Sequence, residues 1–476
     1  MEACVINYIT NMSIILKPTL QFQLSPIVII LFVLAIVIFF NIVSKGYKKE
    51  IKTLKNIDSI TERWNINRFK LEAIELLTVS KNLSYALVTI DISKFRYIIE
   101  SYGRIFGDQL LKQVANSFVE LLPENSISAR NSADDFIILL PYQKATEIPD
   151  YLKSFYKNIE YCTIDNITVR LTFDSGIYLP VQYNEDISNA IDKAEIARKL
   201  AKGINGNHLA FFNEEIQKNY LREKEIEESM ERALSDNEFM VFYQPKYDII
   251  KEKIVGAEAL VRWNSKTSGF LLPDDFIPIF EKNDFIIELD FYVLEEACKM
   301  IRFWIDHKFE VVPISVNQSR NHLRINDYIY RLNTLMKKYQ IPKTLIELEL
   351  TESTFLELNN AAKVMNDMKE LGFLVSMDDF GSGYSSLNML NQISIDTLKI
   401  DKCFLNEKVI SERTKIIIDQ IVEMADRLKM EVICEGVETI EQVEFLKSIG
   451  CNYAQGYYYA KPMPVEEFRL KYEKAL

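Results

Sequence analysis

The sequence predicts an α/β protein: one N-terminal transmembrane helix, a first α/β domain, and a (β/α)8-type barrel whose first strand pair is antiparallel. Three observations lead there. An apolar run from Leu24 to Val43 carries no charge, strands and helices mix between residues 81 and 212, and eight β-rich runs alternate with amphipathic helical stretches beyond residue 240. At 476 residues the chain is too long for one ordinary domain. The expected division is a short extracytoplasmic segment at 1–23, the transmembrane helix at 24–43, a helical connector at 44–80, the first α/β domain at 81–212, and the barrel with its leading linker helix at 213–476.

The run LSPIVIILFVLAIVIFFNIV is twenty residues long. At helical rise that spans about 30 Å, the thickness of a bilayer core. No face of it is polar, which argues against a buried helix of a soluble domain, and no small-x-small cleavage site follows it. Lys45, Lys48, Lys49, Lys52 and Lys55 come directly after, so the positive-inside bias predicts a signal anchor with everything downstream in the cytoplasm, at the inner membrane.

Composition narrows the chemistry. The hydrophobic share of 48% and charged share of 26% are those of a globular protein. A net charge of −12 argues against a nucleic-acid polymer as partner, because a phosphate backbone calls for a basic face. A small phosphodiester is not excluded, since metal ions can supply positive charge locally. The cysteines (Cys4, Cys162, Cys298, Cys403, Cys434, Cys451) form no CxxC pair and read as reduced structural thiols. With only His208, His307 and His322 available, a His-ligated metal or a Ser/His/Asp hydrolase is disfavoured.

In the first domain, strands are expected at Ala86–Asp91, Asp135–Leu140 and Val169–Tyr178, with helices between. The charged stretch Glu214–Arg232 reads as a connecting helix, and the second unit begins near Leu221. The eight runs of that unit are Val241–Asp248, Lys253–Val261, Val312–Asn317, Ile346–Thr351, Leu374–Asp379, Thr397–Lys402, Glu431–Glu435 and Asn452–Tyr457. Between the first two lies only a polar turn near Ile250–Glu252, too short for a crossover helix, so those strands pair antiparallel.

Polar residues gather at the strand ends. Glu258 stands on the second strand, Asn317 ends the third, Glu349 and then Glu352 follow on the fourth, and Asp378–Asp379 end the fifth. The sixth carries Lys399 and Asp401, and the seventh runs into Glu435 and Glu438. The carboxyl ends of parallel barrel strands converge on one mouth, where such folds do chemistry. A single acid at a strand end is usually a solvated loop residue or a helix cap. So many in one mouth would repel unless cations were present, and oxygen ligands without His or Cys favour Mg²⁺ or Mn²⁺. Two such ions, bridged by the Asp378–Asp379 pair, are the standard device for attack on a phosphodiester.

Glu258-Ala259-Leu260-Val261-Arg262 is an E-A-L-x-R motif. With it come Tyr243-Gln244-Pro245, Val316-Asn317, Glu349-Leu350-Thr351-Glu352, Asp378-Asp379-Phe380-Gly381, Lys399-Ile400-Asp401, Glu435-Gly436-Val437-Glu438 and Gln455-Gly456-Tyr457. On these motifs the second unit resembles the EAL family of c-di-GMP phosphodiesterases over its whole length. The resemblance implies hydrolysis of cyclic di-GMP to linear pGpG with two Mg²⁺ or Mn²⁺ ions, in a homodimer formed through this unit. It implies Glu258, Asn317, Glu349, Asp378, Asp379 and Glu435 as metal ligands, Lys399 as the group that holds the attacking water, and Glu435 as a general base. Glu352 is implied to fix the segment after the fifth strand, and Gln244, Leu260, Arg262, Asp401, Glu438 and Gln455 to contact substrate.

The first domain resembles a GGDEF domain, which makes c-di-GMP from two GTP molecules, in Asp91-Ile92-Ser93-Lys94-Phe95, Phe106-Gly107-Asp108 and Arg130-Asn131-Ser132-Ala133-Asp134-Asp135-Phe136. It departs from that family at decisive points. Ser93 stands where a second Asp is usual, Ile99 where an Asn recognises guanine, and Ser132-Ala133 replace the paired glycines. Asp91, Asp108, Asp134 and Asp135 remain, which leaves weak GTP or metal binding open. The expectation is a degenerate domain behind an active phosphodiesterase, the alternatives being a non-catalytic c-di-GMP receptor or a membrane signalling scaffold.

Overall fold

A computed structural model describes residues 35–36, 39, 56–80, 82–181, 184–201, 208–325, 327–352, 354, 361–381, 390, 393–405 and 410–475. Among these, no helix is long and apolar enough to cross a membrane. The span expected at 24–43 lies outside the described residues except for 35, 36 and 39. The chain divides into two compact units, Met1–Leu221 and Arg222–Leu476.

The first unit opens with α1 (Ile66–Val79), whose start is capped by the Asn65 side chain accepting from the backbone N–H groups of Asn67 and Arg68. Then follow β1 (Ser84–Ile92), α2 (Phe95–Tyr102), α3 (Arg104–Leu121), β2 (Ile127–Ser132), β3 (Asp135–Tyr142), α4 (Ile148–Ile159), β4 (Tyr161–Ile164), β5 (Ile167–Arg170), β6 (Phe173–Val181), α5 (Ile187–Ala201) and β7 (His208–Phe211). The five-stranded sheet runs β2-β3-β1-β6-β7, antiparallel except for β6–β7. β1 is buried on both faces: Ala86, Val88 and Ile90 pack with α3 and α4, Leu87 with α1 and α5. Residues 66–79, read from sequence as connector, thus supply Phe69, Ala73 and Leu77 to this core.

The strand expected at Val169–Tyr178 is instead two. Asp165 and Asn166 both take left-handed φ (47° and 62°), which closes β4 and β5 into a two-residue hairpin of their own. The chain re-enters the main sheet only at Phe173. The sequence reading also missed the edge strands β2 and β7.

α6 (Glu214–Ser235) leads into the second unit. There the order is β8 (Phe239–Asp248), β9 (Lys253–Ser265), β10 (Gly269–Leu271), α7 (Pro273–Lys282), α8 (Ile286–Asp306), β11 (Ile314–Asn317), α9 (Tyr328–Tyr339), β12 (Ile346–Thr351), α10 (Ala361–Glu370), β13 (Leu374–Phe380), β14 (Thr397–Ile400), α11 (Glu412–Arg427), β15 (Glu431–Cys434), α12 (Ile440–Ser448), β16 (Tyr453–Ala454), β17 (Met463–Pro464) and α13 (Val465–Ala475). Strands β9, β11, β12, β13, β14, β15 and β16 pair parallel in that order, and β8 closes the ring antiparallel to both β16 and β9. This is an eight-stranded barrel with an antiparallel first pair. β10 and β17 are short additions at its rim.

Candidate active site

Alternation along each strand puts residues i and i+2 on one face, and the register stacks the barrel's polar residues accordingly. Gln244 of β8 lies opposite Glu258 of β9. Asn317 of β11 lies opposite Glu349 of β12, and Asp378 of β13 lies opposite Thr351, two residues beyond Glu349. Two adjacent aspartates would ordinarily face opposite sides of a strand. Here the β13–β14 register shifts between Met377 and Phe380, and Asp379 takes a left-handed φ of 57° that Asp tolerates better than most residues. Asp378, Asp379 and Glu435 consequently present oxygens within 4.8 Å of one another, as do Glu258, Glu349 and Asp378. Asp378 belongs to both groups.

Lys399 is at the centre and fully buried. Its Nζ lies 2.7 Å from Glu435 Oε1, 2.9 Å from Glu349 Oε2, 3.1 Å from Asp378 Oδ1 and 3.6 Å from Glu258 Oε2. Burial alone would lower its pKa, but Asp378, Glu258, Glu349 and Glu435 together hold it well above the usual lysine value. Glu258 Oε1 accepts from Asn317 Nδ2 at 2.9 Å and Oε2 from Gln455 Nε2 at 2.6 Å. The Gln455 amide also donates to Gln244 Oε1 at 3.1 Å, and Gln244 Nε2 donates to the Ala460 carbonyl.

A second buried cation sits below this one. Lys246 Nζ donates to Glu347 Oε2 at 2.6 Å and to Glu349 Oε1 at 2.9 Å. Both Glu349 oxygens therefore face ammonium groups, which outweigh the effect of burial and hold its carboxyl well below the usual range. Glu435 goes the other way. Burial, Asp378 and Glu258 push it up to about 8 despite Lys399. Burial, Asp378 and a hydrogen bond with Asp401 push Asp379 up to about 7. Glu258 is raised as well, chiefly by burial.

The remaining expected residues lie around this cluster. Asp401 joins it through Asp379 and accepts from the Cys403 N–H at 2.7 Å. Glu352 Oε2 accepts from the Gly381 N–H at 3.0 Å, just after β13. Leu260 and Arg262 continue the Glu258 face of β9, half-buried, with the guanidinium 5.7 Å from the Phe242 ring centroid. Glu438 is exposed and has no place in the cluster; its N–H donates to Gln442 in the cap of α12. Lys246 and Glu347 were missed by sequence reasoning, although each lies two residues from a recognised position (Gln244, Glu349) and so on the same face.

The donor set fits hard divalent ions, being all oxygen and in excess of charge, with Glu258, Glu349 and Asp378 buried and Asp379 and Glu435 half-buried. Among the described residues, Glu258, Glu347, Glu349, Asp378, Asp379 and Glu435 gather around Lys246 and Lys399. Fully ionised, these acids outnumber the two ammoniums, an excess of negative charge that divalent cations can offset.

Comparison with known proteins agrees with this geometry. Residues 227–462 match the family model for the EAL domain, and residues 55–208 match that for the diguanylate cyclase GGDEF domain. The signaling protein YkoW of Bacillus subtilis is 31% identical over 433 residues, covering 89% of this chain and 54% of its own. The cyclic di-GMP phosphodiesterase NbdA of Pseudomonas aeruginosa is 29% identical over 429 residues, covering 89% and 55%. The chain thus spans little more than half of these relatives. Among solved structures, the EAL enzyme Bd1971 in its cAMP- and cyclic-di-GMP-bound form matches at 25% identity and a TM-score of 0.51, over 66% of this chain and 92% of that one. The chain therefore carries a GGDEF domain followed by an EAL domain, and is homologous to cyclic di-GMP phosphodiesterases.

Proposed function

We propose that the protein hydrolyses cyclic di-GMP to linear pGpG with the help of two divalent ions, Mg²⁺ or Mn²⁺, held in the barrel mouth. The observation that carries this is the Lys399 cluster, in which one buried ammonium joins carboxylates from four strands that still have charge to spare. Glu258, Asn317, Glu349, Asp378, Asp379 and Glu435 would hold the ions. Ions bound there would polarise the phosphodiester and lower the pKa of a water molecule.

The chain's own residues do the rest. Lys399 donates hydrogen bonds that orient the water, and Glu435 accepts the proton as the water oxygen bonds to phosphorus. The P–O bond to the 3′ oxygen breaks, that oxygen takes up a proton from solvent, and Glu435 gives its own proton back to solvent, so one water is consumed per linear product. Gln244, Leu260, Arg262 and Gln455 line the approach, with Asp401 behind Asp379. Glu352 ties Gly381 to the end of β12, and a homodimer formed through the barrel unit belongs to the same reading. The run at 24–43 and the lysines after it support placement on the cytoplasmic side of the inner membrane.

The test is incubation of the chain with cyclic di-GMP and Mn²⁺. Release of pGpG that stops in excess EDTA is the expected result. Binding without turnover would favour a receptor, and neither binding nor turnover a scaffold.

A further inference from the structure

The first unit has an acid cluster of its own, and its geometry is set by register. Asp135 of β3 lies directly opposite Asp91 of β1, Asp91 opposite Asp174 of β6, and Asp174 opposite His208 of β7. Directly paired residues share a face, so three aspartates and a histidine form one row across four strands. α5 covers that face. Its close approach depends on Gly176, two residues after Asp174, because a Cβ there would lie 1.9 Å from the Ala194 carbonyl and 2.3 Å from the Arg198 nitrogen.

The approach delivers Arg198, only 6% exposed, onto the row. Its Nη1 lies 3.3 Å from Asp91 Oδ2 and its Nη2 3.2 Å from Asp135 Oδ1. Nε donates to Glu195 Oε2 at 2.9 Å, and Nη2 also pairs with Glu195 Oε1. Asp174 is served separately, accepting from Ser93 Oγ at 2.9 Å on Oδ2 and meeting His208 Nδ1 at 2.8 Å on Oδ1.

A divalent ion at this row would need the Asp91 and Asp135 oxygens, and these already face a guanidinium. We propose that Arg198 is the resident cation of this acid row, occupying it so that the row takes no divalent ion, and that removing it converts the row into a divalent-cation site. The metal that a GGDEF domain implies therefore does not fit here. The obstacle is an added cation as well as the altered hairpin.

The test is equilibrium dialysis of Mn²⁺ against the full chain, with the barrel cluster weakened by Asp378→Asn in every sample. With Arg198 present, Asp91→Asn should leave the bound Mn²⁺ unchanged; a fall of about one ion per chain would overturn the proposal. Arg198→Met should gain about one ion, lost again on adding Asp91→Asn, and a folded Arg198→Met chain with no gain would also overturn it. If Arg198→Met unfolds in chelator, Mn²⁺ should restore its melting transition; failure to do so counts against the proposal, and the Asp91→Asn comparison stands without that variant.

Discussion

Both units bury cations among carboxylates, two lysines in the barrel and one arginine in the first unit, yet the two clusters differ in how the cation holds its acids. In the barrel, Lys399 meets Glu258, Glu349, Asp378 and Glu435, and Lys246 holds Glu347 and Glu349 from below. Acids exceed ammoniums, and a lysine ammonium is a compact charge on a flexible stem that can turn to a new partner. In the first unit, Arg198 fixes Asp91, Asp135 and Glu195 with a rigid planar fork, and Asp174 is shared between Ser93 and His208. Buried acids grouped around a cation thus occur in both units, and acids outnumber cations in both. The kind of cation distinguishes them, a flexible ammonium in one and a planar fork in the other.

The largest test of that contrast is Glu258→Ala. It removes one of the carboxylates grouped for a metal while the barrel core stays intact. Turnover should fall by about 100-fold or more, since even partners behind a metal ligand cost 10–100-fold, with an unchanged melting transition. Loss of cooperative melting would mean that Glu258 is structural.

Lys399→Met comes next, and separates the clusters by stability. Removing a buried cation from its carboxylates costs about 3–5 kcal/mol, so the barrel should melt early in EDTA. Mn²⁺ should recover more of that loss than it adds to the parent chain. A variant as stable as the parent in EDTA would show that Lys399 is not the charge holding the acids together.

Lys246→Met should be milder, weakening Mn²⁺ affinity about 10–100-fold by freeing Glu349 from its lower clamp. Titration calorimetry reads this directly, and unchanged affinity would confine Lys246 to packing.

Proton linkage sharpens the picture further. Without metal, Glu435 and Asp379 have carboxyls pushed up to about 8 and about 7, so the folded chain binds more protons than the unfolded one between their ordinary values and these. From these two groups, stability in EDTA should fall as pH rises from about 4 to 8. Apparent Mn²⁺ affinity should rise over pH 6 to 8, because both protons must leave. Melting and Mn²⁺ titrations across that range check both signs, and a flat affinity profile would remove these two groups from the ion site.

Much of this was legible in the sequence where burial and chemistry coincide. Leu348, Leu350, Val375 and Met377 flank the barrel acids in short apolar runs, and the four-residue connection between Asp248 and Lys253 made the antiparallel pair a matter of chain length. Lys246 and Glu347 were invisible for the opposite reason, because charged residues in strands ordinarily mark the solvent face. Arg198 reads on α5 as one more charged residue of a surface helix, and only cross-strand register reveals the row beneath it. The break at Leu171–Thr172 was hidden because both flanking segments favour strand.

The smallest expected effect is none at all. Opening the acid row with Arg198→Met is expected not to make the first unit a cyclase, on the reading that the Ser132-Ala133 hairpin is obstructed independently. Ala133 sits at a φ of +38°, where a side chain costs about 1–2 kcal/mol and glycine nothing. Its carbonyl is gripped by Arg130 through Nε at 2.7 Å and Nη2 at 2.5 Å, while Arg130 Nη1 holds Asp58 at 2.9 Å, so the turn is braced. Ser132 Oγ donates to Asp135 Oδ2 at 3.2 Å, a contact that a glycine at this position could not make. Ile99 offers no hydrogen bond to a guanine edge, and an unpaired buried polar edge costs about 1–3 kcal/mol. Given GTP and Mn²⁺ at high protein concentration, the Arg198→Met chain carrying Asp378→Asn in its barrel should accumulate no cyclic di-GMP. If it does accumulate, Arg198 alone had silenced the domain, and the hairpin substitutions are tolerated.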